Sequence, residues 1–176
     1  TMSAALNMIK AENVTDAIAA LEGYIAPSQN VTFIDRDSIG FKVIGAMPKR
    51  SISHQTQGRM PALGWVRDNQ WDGRLPYSDN PEVINPETGI IGNTNNKTTD
   101  ADFPNHVSFE WGDSQRINRL KRLMEMRKVH TRESLIEAQL DTVSFTAQSL
   151  LPLIGKELWF TGEAGERGTL AWQRTT

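Results

Sequence analysis

NVTFIDRDSIGFKVIG, residues 30–45, decides the fold class. Val31 and Phe33, joined by Ile34, and then Ile39, Phe41 and Val43 recur at alternate positions, the period of a strand that buries one face. The intervening DRDS consists of turn formers, so the stretch predicts two antiparallel strands joined as a hairpin. Upstream, NVTDAIAAL (residues 13–21) sets Ala17, Ile18 and Leu21 at helical spacing behind Asn13 or Thr15 as N-cap, with Pro27 and Ser28 ending the helix. Downstream, Pro48, Pro61, Pro76, Pro81 and Pro86 with Gly58, Gly64 and Gly73 exclude a long regular element. An irregular span of that length is either functional or pinned by its neighbours.

Helices follow. SQRINRLKRLMEMRK (residues 114–128) carries Ile117, Leu120, Leu123 and Met124 on one side, with Ser114 as its N-cap. A second helix is predicted from Thr131, with Glu133 in its first turn, to about Leu151, where Pro152 limits it. FTGEAGERGTLAWQRTT (residues 160–176) reads as a glycine-rich loop and a short tail. A strand pair, an irregular span, a short strand near Gly89 and then helices predict α+β rather than a βαβ series.

The 176 residues suit one domain or a piece of a larger one, and 38% hydrophobic content is enough for a packed core. A net charge of −2, from 19 basic and 21 acidic side chains, gives no global field that would recruit nucleic acid or an anionic membrane. The absence of cysteine excludes disulfides, a thiol nucleophile and thiolate metal sites, but assigns no compartment. No apolar run approaches the roughly 20 residues of a transmembrane helix. TMSAALNMIKAEN at the start lacks a signal-type apolar core, so a signal for export is expected outside this chain.

GIIGNTNNKTTDADFPNH (residues 89–106) holds Asn93, Asn95, Asn96 and Asn105. Asparagines of this density make ordinary turns, but one of them could also be an amide aimed at a reacting carbonyl. DNQWDG (residues 68–73) imitates the start of a calcium loop, yet Gln70 stands at the third place and Asp79 at the twelfth, and Pro61 and Pro76 deny it flanking helices, which favours a tight turn. His54, His106 and His130 share no metal-site spacing and read as surface or capping residues. The basic residues of 114–128 read as a solvated face rather than a nucleic-acid helix, with one exception. At 100° per residue Arg116 falls between Leu120 and Leu123, on the apolar side, where its charge needs an acceptor. Arg116 is therefore either a site residue or a structural ion-pair partner. The three N-x-T triplets, at Asn13, Asn30 and Asn96, arise often by chance and are set aside.

In order and spacing, APSQNVTFIDRDSIGF, GRMPALGW, WDGRLPYSDNPEVINPETGIIGNTNN, FPN, FEWGDSQRINRLKRLM and LIEAQLDTVSFTAQSLLPLI resemble the central β-chain region of the penicillin acylase (penicillin amidase) family of N-terminal nucleophile hydrolases. The resemblance covers residues 6–153, and its most specific parts are NPETGIIGNTNN and WGDSQRINRL. It implies a piece of an αββα sandwich. It also implies a parent enzyme that matures by autocleavage to free an N-terminal serine, whose hydroxyl attacks an amide carbonyl and whose α-amine serves as base. The oxyanion is then held by an asparagine amide and a backbone N–H. Asn95 is similar in place to that asparagine, and Arg116 to an arginine near the start of the following helix. The resemblance implies that this arginine is a fixed cation beside the amide, which orients it and biases the terminal amine toward its free base. A neutral amide aimed at developing charge can contribute about 3 kcal/mol to transition-state binding.

No segment here matches the family's nucleophile serine or its backbone oxyanion donor. Thr1 is a poor substitute, because TMSAALNMIKAEN matches a helical stretch well downstream of the nucleophile. The chain is therefore expected to be an internal fragment, residues 1–176, silent alone and completed by the α chain and the rest of the β chain. Cut edges and apolar faces could drive self-association. No cofactor is implied, and the family's calcium site finds no support, since Gly58 offers at most a carbonyl. The expected substrate is a small N-acyl amide such as a penicillin or an acyl-homoserine lactone; nucleic acid and membrane are not expected partners, and the family setting is periplasmic or secreted. The alternative is a non-catalytic scaffold fragment in which GNTNN is only a turn.

Overall fold

The hairpin forms where the alternation places it. In the computed structural model, which describes residues 1–158, helices α1 (Met2–Met8) and α2 (Val14–Ala20) precede strands β1 (Gln29–Ile34) and β2 (Ile39–Ile44). The strands pair antiparallel, with Thr32 opposite Phe41 and Phe33 opposite Gly40. The turn is closed by Asp35, whose Oδ1 accepts from the N–H groups of Asp37 and Ser38, each at 2.7 Å. Its Oδ2 accepts from the Val14 N–H at 2.7 Å, so one carboxylate serves both the hairpin turn and the start of α2. That Val14 bond, followed by the Asp37 bond, holds the Asp35 carboxyl below its ordinary value.

Asn13 caps α2 as the sequence implies, accepting from the Asp16 N–H at 2.9 Å. The helix nevertheless stops at Ala20, well before Pro27, because Leu21 and Glu22 tighten onto carbonyls three residues back. Val14, Ile18 and Leu21 bury against Phe33 and Ile44 to make the core. Gly40 permits this close approach, since a Cβ there would lie 2.6 Å from a Val14 methyl.

The breaker-rich span is pinned. It contributes β3 (Pro48–Arg50), β4 (Trp71–Arg74) and β5 (Glu82–Ile84), with 3-10 turns at Arg67–Asn69 and Tyr77–Asp79. β3 and β4 pair with each other, and β5 joins the hairpin in the order β1-β2-β5, all antiparallel. Asn80, buried, donates to the carbonyls of Val43 at 2.9 Å and Gly45 at 2.8 Å. Lys42, only 2% exposed, reaches Glu82 at 3.0 Å and the Asn80 carbonyl at 3.3 Å, and its ammonium sits 4.6 Å from the centre of the Tyr77 ring. Tyr77 donates to the Ile18 carbonyl at 3.1 Å, and burial, followed by Glu82 and Glu22, pushes its hydroxyl up to about 12. The DNQWDG stretch folds as a turn and strand in which Asn69 bonds Gln55 and the Leu63 carbonyl. The short strand expected near Gly89 does not form. The ladder ends at Asn85, which exchanges bonds with Ile39, and Asn85 at φ 47, Pro86 and Gly89 at φ 65 turn the chain away.

Cα proximity divides the chain into two compact units, one of residues 1–93 and 97–111, the other of Thr94–Asn96 with the chain from Gly112 onward. The second unit holds α3 (Gln115–Glu125), α4 (Arg132–Gln139) and α5 (Phe145–Leu158). Ser114 makes no capping bond; instead Asp113 accepts from the Gln115 N–H at 3.1 Å. Thr131 caps α4 reciprocally with Ser134. The single helix expected from Thr131 to Leu151 is two helices, because Asp141 turns aside to grip Arg119 with both oxygens, at 3.0 and 2.6 Å. Pro152 lies inside α5 rather than ending it; its fixed φ suits a helix, which forgoes one backbone bond there. The glycine-rich loop expected at residues 160–176 lies outside the described residues. No described helix is long and apolar enough to cross a membrane.

Two outcomes follow from this packing. Gly40→Ala should cost about 1–3 kcal/mol, read as a lower midpoint of urea unfolding by tryptophan fluorescence; an unchanged midpoint would mean that α2 does not depend on the close approach. The second concerns acid. Asp141 is held below its ordinary 3.8, first by the Arg119 hydrogen bond. A depressed carboxyl contributes stability above its unfolded value and loses it as pH falls through the lower folded value. Thermal unfolding from about pH 6 to about pH 2 should therefore show a loss below 3.8 that is smaller in Asp141→Asn, where the Asp35 contribution remains.

Candidate functional site

Residues 94–96 form a short clasp against the start of α3, within the second unit. Asn95 sits at φ 68, the left-handed region that asparagine tolerates better than other side-chain-bearing residues. Its carbonyl accepts from the Gly112 N–H at 2.7 Å, and Asn96 and Gly112 form an isolated parallel bridge. The Asn96 Oδ1 accepts from the Thr94 N–H at 3.0 Å and its hydroxyl at 3.3 Å.

Arg116, in the first turn of α3, reaches back along the chain. Its Nη2 donates to the Thr94 carbonyl and, at 2.8 Å, to Asn95 Oδ1. A guanidinium has donors only, so the atom facing it must be the amide oxygen, and the amide's orientation is thereby fixed. The donor end of the amide is then Nδ2. The sequence expectation that these two residues meet is met in distance but not in burial. Arg116 and Asn95 are both exposed, and Ile117 is the residue that α3 buries. Position on the helix circumference misleads here because side chains lean toward the helix N-terminus, and in the first turn no preceding turn lies beneath them.

Asn93 and Asn96 are braces. Asn93 Oδ1 accepts from Asn30 of β1 at 2.9 Å, so it ties its loop to the hairpin rather than merely turning. Asn105 lines a surface hollow with His106, Phe109 and Trp111. The histidines also have local partners. His54 Nδ1 accepts from the N–H groups of Thr56 and Gln57, His130 Nε2 bonds the Met124 carbonyl, and His106 stacks on Phe109. Among the described residues no three histidine, aspartate or glutamate side chains converge as a metal cage. The roles of Thr94, Asn96 and Gly112 are not legible in the sequence. WGDSQR shows only a glycine before a helix cap, a signal that does not say what the glycine faces.

The penicillin amidase family model matches residues 1–175. The chain belongs to the penicillin amidase family. Among curated relatives, an acyl-homoserine lactone acylase, QuiP, of Pseudomonas aeruginosa is 27% identical over 150 residues, 85% of this chain and 17% of that protein. A penicillin G acylase of Escherichia coli is 36% identical over 93 residues, 51% of this chain and 10% of that protein. The chain thus spans under a fifth of the length of these relatives. A solved structure of a thermostable penicillin G acylase from Alcaligenes faecalis matches with a TM-score of 0.70 at 22% identity, over 96% of this chain and 30% of that one. The α+β arrangement of helices and small antiparallel sheets is therefore part of the N-terminal nucleophile hydrolase fold that the penicillin amidase family shares.

Proposed function

We propose that this penicillin amidase chain is part of an amidohydrolase for linear N-acyl amides, with Asn95 as oxyanion donor and Arg116 as its electrostatic support. The observation that carries this is the 2.8 Å bond from Arg116 to Asn95 Oδ1. It turns the amide so that Nδ2–H is the donor presented to an anion, and the cation polarises that N–H further.

In this reading the nucleophile is an N-terminal serine supplied from outside the chain. Its hydroxyl oxygen adds to the amide carbon while its own α-amine takes the proton, and the C=O electron pair moves onto oxygen. Asn95 Nδ2 and a backbone N–H from another segment hold that oxyanion. The intermediate collapses by breaking the C–N bond, the α-ammonium protonates the leaving amine, and water then hydrolyses the acyl ester by the same two steps. The chain alone supplies a donor without a nucleophile, so it is expected to be inactive. N-acyl homoserine lactones and penicillin-type amides are the substrate classes to assay, by analogy with the relatives. A periplasmic or secreted setting belongs to the same proposal and rests on the family resemblance.

In the complete enzyme, Asn95→Ala should lower kcat by about 10² or more, with maturation intact. Arg116→Ala should lower it in the same direction but less. Turnover of Asn95→Ala at the wild-type rate would leave the scaffold reading in place, with Arg116 and Asn95 no more than a brace.

A further inference from the structure

We infer that Gly112 and Asn96 are positioning residues for the Asn95 amide, Gly112 because only a residue without a side chain can approach Asn95 closely enough to hold its carbonyl. The inference rests on the reading of Asn95 as the oxyanion donor and extends it to residues that touch no substrate. Three observations carry it. A Cβ at Gly112 would lie 2.7 Å from the Asn95 carbonyl oxygen, 3.1 Å from its carbon and 3.2 Å from its Cβ. These are backbone and stem atoms that cannot swing aside. Through that gap the Gly112 N–H donates to the Asn95 carbonyl at 2.7 Å.

The second observation is conformational. Asn95 holds a φ of 68, a region where an L-residue stays only if its surroundings fix it. Gly112 fixes the carbonyl on one side of Asn95. On the other, the Asn96 Oδ1 bonds the Thr94 N–H and hydroxyl at 3.0 and 3.3 Å, drawing Thr94 and Asn96 together around the residue between them. The third is that Arg116 grips the same clasp from the helix, through the Thr94 carbonyl and Asn95 Oδ1. Arg116 sets the rotation of the amide, while Gly112 and Asn96 set the backbone from which it projects. A donor displaced by about 1 Å can lose most of its effect on a transition state.

The backbone of Gly112 lies outside the left-handed region, so an alanine there meets the Asn95 contact and no torsional penalty of that kind. This makes Gly112→Ala a clean probe. Gly64, where an added methyl would meet nothing within 4 Å beyond its own chain neighbours, is the control site. In the complete, matured enzyme Gly112→Ala should lower kcat about tenfold or more, with KM within about twofold, while Gly64→Ala leaves both unchanged. Introduced into the Asn95→Ala background, Gly112→Ala should lower kcat no further, because the group it positions is already gone.

Wild-type kcat in Gly112→Ala overturns the inference. So does an independent loss in the Asn95→Ala background, which would make Gly112 a general structural residue. If Asn95→Ala itself turns over like wild type, the proposed function fails first, and the two failures are distinguished by that one measurement. Should Gly112→Ala not mature, the same cycle is run with Asn96→Ala, which deletes the acceptor for Thr94, and Asn96→Asp, which keeps an oxygen there. Loss in the first with recovery in the second supports the inference; wild-type kcat in Asn96→Ala overturns it.

Discussion

Backbone N–H and C=O groups removed from water must find partners, and a chain of short strands interrupted by the prolines and glycines of residues 48–86 cannot supply them from long ladders. Side-chain amides and carboxylates take over the task. Asp35 closes the hairpin turn and caps α2 with the same carboxylate. Asn80 holds the end of β2 through two carbonyls, and Asn69 bridges Gln55 and Leu63. Asn85 ends the β2–β5 ladder on Ile39. The abundance of asparagine is thus mostly structural, and the clasp at residues 94–96 uses the same device. Asn96 braces its neighbours, while Asn95 gives its carbonyl to Gly112 and its Oδ1 to Arg116.

What can be read from the sequence divides along physical lines. The hairpin is legible because a two-residue period and a turn signal agree, and the cap at Asn13 because its side chain acts on residues next to it in sequence. The division of the predicted 131–151 helix is not, because it depends on Asp141 finding Arg119, a partner 22 residues away. Pro152 misleads for a related reason: local rules give the cost of a proline in a helix, but not whether the rest of the helix outweighs it. In the site, Asn95 and Arg116 are marked by motif resemblance and brought within 2.8 Å by the fold. Helical periodicity puts Arg116 on the correct side of α3 for a partner but with the wrong burial, because its acceptors lie beyond the helix end rather than beneath the apolar stripe. Gly112 cannot be read at all, since its contribution is an absent side chain whose neighbour is 17 residues distant in the chain.

The exposure of Asn95 and Arg116 bears directly on how the pair can act. In open water a cation at hydrogen-bond distance is screened, and an amide donor competes with solvent for the same anion. The rigid geometry survives that exposure, because it is set by Gly112, Asn96 and the two Arg116 bonds rather than by burial. The electrostatic advantage does not, since a preorganised donor gains most where water is excluded. Geometry and desolvation are therefore separable for the proposed donor: Thr94–Asn96, Gly112 and Arg116 supply the first, and on that reading the second would have to come from other segments. On the proposed function, a chain spanning under a fifth of its curated relatives then holds an ordered donor that depends on other segments to act. The same reading sets an order of dependence: segments that cover the pair would strengthen the Asn95 amide only once the clasp has aimed it.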